Sequence, residues 1–136
     1  MKKVYTIIFV LLVFAIPSCE DPDDYDCDEC LSERPGVGDL KIKLTINHEN
    51  PEVPVTVFFD NINGHIIVTD IVNTEMYYVE ELPLKQYYVV QAKYLVGNDT
   101  IYAIDGDFME PKESSTCEET CWIIKGDVID VRLKYD

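Results

Sequence analysis

The side chains best placed to do chemistry are five cysteines, and their spacing separates one from four. Cys27 and Cys30 form a C-x2-C pair, Cys117 and Cys121 form a C-x3-C pair, and Cys19 stands apart before a run of acids. Four grouped thiols have three uses. They can close two disulfides, with three connectivities open to them. They can hold zinc tetrahedrally as a four-cysteine site, or a C-x2-C pair can cycle as a redox dithiol. The redox use needs a thiol of lowered pKa. Cys27 lies among Asp26, Asp28 and Glu29, whose charge opposes a thiolate, so structural use is favoured. Between disulfides and zinc the compartment decides, because disulfides persist in exported chains.

The compartment is legible at the N-terminus. Lys2 and Lys3 precede an uncharged run from Val4 to Ile16, and Ile16-Pro17-Ser18-Cys19 closes it. A basic end, an apolar segment and a small residue at the cut make a secretory signal. The thirteen-residue run is too short to span a bilayer, which takes about 20 apolar residues. With Ile16 and Ser18 before it, Cys19 resembles the lipidated cysteine of the bacterial lipoprotein lipobox. That resemblance implies removal of residues 1–18, acylation of Cys19, palmitate among the chains, and a membrane anchor made of lipid. Glu20, Asp21, Asp23 and Asp24 follow at once. They resemble the export signal of Bacteroidota surface lipoproteins, which implies a lipid-anchored place on the outer membrane, facing the exterior.

Charge narrows the partners. Loss of residues 1–18 leaves 118 residues, the size of a single domain. Lys2 and Lys3 go with the leader, so nine basic residues face 26 acidic ones, a charge of −17. Nucleic acid is excluded, since Lys and Arg on phosphates supply that affinity, and so is electrostatic adhesion to anionic lipid. Residues 20–29 hold seven acids and no base, the composition of a solvated tether. They lack the mid-loop glycine and late glutamate of an EF-hand. The plan is a signal peptide at 1–18, a lipidated acidic tether at 19–37 and a folded domain at 38–136.

Nothing in that domain assembles a catalytic constellation. His48 and His65 are the two histidines, and both read as exposed turn residues. Ser114 and Ser115 lack the G-x-S-x-G context of a hydrolase. With 26 acids, paired carboxylates arise by chance. No catalytic residue and no cofactor is therefore expected, and the chain does not read as an enzyme. Asp105, Asp107 and Glu110, or Asp99 beside Asn98, could offer oxygens to calcium from loops, although solvation is the simpler account. Tyr77/Tyr78 and Tyr87/Tyr88 are adjacent pairs, and in a strand one of each pair must leave the core. Tyr78 and Tyr87 are thus the candidate ligand contacts.

The elements that must position these residues read as strands. Alternation places Leu40, Ile42, Leu44 and Ile46 inward on a first strand over 39–47. Strands follow at 55–60, 65–72, 75–80, 88–96 and 100–104, with a last one at 127–135 facing Ile129, Val131, Leu133 and Tyr135 inward. Asn63-Gly64 predicts a type I′ hairpin turn, Asp105-Gly106-Asp107 the end of the sixth strand, and 108–121 a surface loop. About seven strands without helical periodicity predict an all-β fold, an antiparallel two-sheet sandwich of prealbumin/Ig-like type, ahead of a small closed barrel. Residues 81–92 resemble the L-P-x-G-x-Y-x-V-x-A corner of prealbumin-like and Cna B-type domains. Leu82, Pro83, Tyr88, Val90 and Ala92 match, and Lys85 stands where those families usually have glycine. First and last strands of such a fold commonly lie together. That predicts two disulfides joining Cys27 and Cys30 to Cys117 and Cys121 across the chain, with the Trp122 indole packed on the sulfurs. The expected function is a non-catalytic, lipid-anchored cell-surface binding or structural module with a protein or glycan ligand. The alternative is a surface lipoprotein that binds metal, through zinc on the four cysteines or through loop calcium.

Overall fold

The computed structural model describes residues 27–115 and 117–134. The expected signal peptide, Cys19, the first part of the tether and Tyr135 lie outside the described residues. A single 3-10 turn at Cys27–Glu29 precedes β1 (Val37–Lys43), β2 (Val53–Phe59), β3 (Ile66–Val72) and β4 (Met76–Pro83). Then come β5 (Gln86–Val96), β6 (Asp99–Ser114), β7 (Cys121–Lys125) and β8 (Val128–Asp130). The fold is all-β, in a three-stranded sheet ordered β4-β1-β8 and a five-stranded sheet ordered β3-β2-β5-β6-β7. Among the described residues no helix is long and apolar enough to cross a membrane.

Alternating sequence builds the core, because successive strand side chains point to opposite faces. Leu40 and Ile42 of β1, Val53, Val55 and Val57 of β2, and Tyr88, Val90, Ala92 and Tyr94 of β5 are at most 1% exposed. They join Val79 and Leu82 of β4 and Ile129 of β8 in one apolar cluster fed by both sheets. Each such side chain contributes about 1.5–3 kcal/mol relative to exposure. Ile46, expected inward, is half-buried against that cluster.

Polar groups caught in the core are satisfied. The Tyr94 hydroxyl accepts from the Thr45 N–H at 3.1 Å and donates to the Val131 carbonyl at 2.9 Å. Buried Asn50 bonds both backbone groups of Leu95, at 2.7 and 2.9 Å. At the corner after β4, Lys85 has φ 62°, the left-handed region that glycine enters freely and other residues enter at a cost of about 1–2 kcal/mol. Its N–H reaches the Met109 carbonyl at 2.6 Å, and the Tyr88 hydroxyl reaches the Pro83 carbonyl at 2.7 Å.

Several expectations are corrected. The hairpin between β2 and β3 is not a type I′ turn, because positive φ falls on Asp60 and on neither Asn63 nor Gly64. The Asn61 side chain accepts from the Asn63 N–H at 2.9 Å, which shapes a longer loop. Gly64 is needed there for closeness, since a Cβ would overlap the Phe59 carbonyl oxygen. The sixth strand does not stop at Asp105-Gly106-Asp107 but continues to Ser114. It pairs with β5 as far as Met109 and with β7 from Glu110 to Ser114. The expected surface loop over 108–121 therefore shrinks to the short link before Cys121. Finally, β8 is brief and runs parallel to β1, while the other strand pairings are antiparallel.

Candidate functional site

The four cysteines converge. Cys27 opens the 3-10 turn and Cys30 follows it, the Cys30 N–H donating to the Cys27 carbonyl at 3.3 Å. On the other side, Cys121 opens β7 opposite Ser114 of β6, and Cys117 sits in the link between those strands. Two disulfides result, Cys27–Cys117 and Cys30–Cys121, with Cα–Cα distances of 5.8 and 5.4 Å. They span 90 and 91 residues, so both cross the chain as expected. The two bonds touch, with the Cys30 and Cys117 sulfurs 3.6 Å apart.

Backbone pairing reinforces the junction. Leu31 forms an isolated antiparallel bridge with Trp122, which makes the N-terminal segment a short extra rung beside β7. Trp122 follows Cys121 in β7. Successive residues alternate faces, so it points away from Cys121 and carries the Arg34 guanidinium, 5.2 Å from its ring centre. Such a contact is worth about 0.5–1 kcal/mol at an exposed site.

A cleft of about 510 Å³ opens beside this junction. Leu31, Ile124 and Val128 give it an apolar lining, and Lys41 stands in it between Asp127 at 3.3 Å and Glu29 at 4.0 Å. Partial burial works to lower the Lys41 pKa, but attraction to Asp127, their hydrogen bond and Glu29 together raise it above its ordinary value. Sequence reading missed the cleft because Lys41 and Asp127 are remote in the chain. They meet through the β1–β8 pairing, where the Lys41 N–H donates to the Asp127 carbonyl at 2.7 Å.

The other candidates are dispersed. Tyr78 and Tyr87 are exposed, at 52% and 40%, on β4 of the three-stranded sheet and β5 of the five-stranded sheet respectively. Tyr87 is directly opposite Phe108 on β6 and shares its face with Tyr102, which is opposite Lys93. Its ring lies over Gly106, where a Cβ would come within 3.1 Å of it. Asp105, Asp107 and Glu110, weighed as calcium donors from a loop, belong to the extended β6, while Asn98 lies in the β5–β6 turn next to Asp99, the first residue of β6. Asp105 and Asp107 instead bond the N–H of the residue that follows each. Exposed His48 and His65 lie outside the strands, while Ser114 is buried at the end of β6. Among the described residues, the group of potential metal ligands brought together is Cys30, Cys117 and Cys121.

No protein-family model matches the chain, and neither does any curated protein or solved structure.

Proposed function

We propose that this protein is a non-catalytic, lipid-anchored cell-surface binding or structural module. Its body is read as a two-sheet sandwich of prealbumin-like or Cna B type, displayed on the outer membrane. The observation that carries the reading is the pair of disulfides between the acidic N-terminal segment and the β6–β7 end of the domain. With acyl chains on Cys19, residues 20–26 are the stretch of sequence between the anchor and the first cross-link. Eight residue steps from Cys19 to Cys27 reach at most about 28 Å. From Cys27 onward the chain is pinned to the body, so the domain is held close to the membrane in a limited range of orientations. An unpinned tether running to β1 would allow about twice that reach. The outer face of the five-stranded sheet, with Tyr87, Tyr102 and Phe108 exposed, is what the module offers a protein or glycan ligand.

The anchor is tested by Cys19→Ala in cells that process the native chain. The variant is expected to leave the membrane fraction and to lack the mass of the acyl chains. Continued membrane partitioning with a mass altered only by the substitution would overturn the lipoprotein reading. For the ligand face, Tyr87→Ala is expected to weaken binding on glycan or protein arrays, and unaltered binding would move the site elsewhere.

A further inference from the structure

We propose that the same four cysteines, once reduced, form a four-thiolate zinc site that keeps the N-terminal segment joined to the domain. In a tetrahedral four-sulfur zinc centre with bonds of about 2.3 Å, neighbouring sulfurs are about 3.8 Å apart. Cys30 and Cys117, which are not bonded to each other, already stand at 3.6 Å, and Cys30, Cys117 and Cys121 lie within 4.8 Å of one another. Cys27 stands outside that group, is bonded to Cys117, and joins as the fourth ligand once its bond opens. The C-x2-C turn and the C-x3-C link supply two ligands each, the short spacings that structural zinc sites use.

Opening the bonds leaves the junction a second means of holding together. The Leu31–Trp122 bridge and the Arg34–Trp122 contact involve no sulfur. They keep Cys27 and Cys30 facing Cys117 and Cys121 after reduction. Asp28 and Glu29 on one side, and Glu118 and Glu119 on the other, oppose four free thiolates. A dication offsets that repulsion, so metal is the partner that lets all four thiols ionise together.

The steps balance. A dithiol reductant delivers four electrons and four protons, opening Cys27–Cys117 and Cys30–Cys121 to four thiols while it closes two disulfides of its own. Zn²⁺ then forms four Zn–S bonds and releases four protons. Because binding displaces protons, affinity rises steeply with pH.

The test uses the full chain with Cys19→Ser, reduced with a dithiol that is then removed under inert gas. It is titrated with Co²⁺ alone, then with Zn²⁺. The expected result is one tightly held Co²⁺ per chain with the visible bands of tetrahedral thiolate coordination, displaced by one Zn²⁺. Near-ultraviolet circular dichroism of Trp122, the sole tryptophan, should match that of the oxidised protein. Adding Cys30→Ser and Cys121→Ser should weaken binding by about 100-fold or more, beyond what changes outside the ligand shell cost. An octahedral cobalt spectrum, equal binding by the double-serine variant, or binding that leaves the Trp122 signal of an unfolded chain would each overturn the proposal.

Discussion

Leu31 and Trp122 exchange both backbone hydrogen bonds, N–H to carbonyl at 2.8 Å in each direction. This closed pair sits beside the two disulfides and makes the N-terminal segment part of the domain's hydrogen-bonding scheme. About ninety residues of chain lie between its two sides, so each cross-link closes almost the whole fold into one loop.

The two cross-links should not count equally. A first bond over a 90-residue separation restricts the unfolded chain by about 4.6 kcal/mol in the loop-entropy model. The second then closes a loop of only about eight residues and adds about 2.5 kcal/mol. Replacing either pair by serine is thus expected to cost about 2.5 kcal/mol, and replacing both about 7 kcal/mol. Urea unfolding of the three variants checks this, and additive losses would count against the account.

Tyr94→Phe should be costly for a change of one oxygen. The hydroxyl is buried and serves the Thr45 N–H and the Val131 carbonyl together. Its loss leaves both partners unpaired in the core, a penalty of about 2–3 kcal/mol. The same substitution at exposed Tyr78 is expected to fall within about 0.5 kcal/mol of wild type.

Lys85→Gly is expected to stabilise the protein by up to about 1 kcal/mol. The gain is relief of the left-handed backbone, reduced by the extra freedom glycine has when unfolded. The Lys85 N–H bond to Met109 is a backbone bond and survives. Thermal unfolding of wild type and variant measures the sign.

Asp130 gives the acid limb of stability a definite window. Hydrogen bonding from Arg132, helped by its charge and that of Lys43, lowers the Asp130 pKa to about 2 despite a burial effect in the other direction. A depressed folded pKa contributes stability that is present above the unfolded value, near about 4, and is lost as pH falls towards about 2. Both side chains are substantially exposed, at 34% for Asp130 and 53% for Arg132, so solvent screening limits the contribution to under about 1 kcal/mol. Asp130→Asn should lower stability at neutral pH by no more than that and flatten its decline between about pH 4 and 2. Urea unfolding of both proteins across that range is the check.

Sequence periodicity reveals the strands that bury one face, because burial imposes a period of two on β1, β2 and β5. It fails where that pressure is missing. Beyond Met109, β6 leaves β5 and pairs only with β7, so Pro111 is tolerated without a strand on its other edge. β7 is five residues long, and its Leu31 neighbour comes from a segment whose composition reads as tether. Asn63-Gly64 carries the usual hairpin signal, yet Asp60 takes the positive φ because β2 continues to bond β5 there, the Asp60 N–H reaching the Tyr87 carbonyl at 2.8 Å. At the site, cross-chain bonding was legible from cysteine spacing and the closeness of first and last strands. Which cysteine takes which partner was not, since it depends on the Leu31–Trp122 rung that sets the segment's register.

The most direct measurement is the connectivity of the native disulfides. Glu29 lies between Cys27 and Cys30, and Glu118 and Glu119 lie between Cys117 and Cys121. A protease that cuts after glutamate therefore separates all four cysteines without reduction. Mass spectrometry of that digest should recover Cys27 linked to Cys117 and Cys30 linked to Cys121. Recovery of Cys27–Cys30 and Cys117–Cys121 instead would leave the tether unpinned and contradict the account.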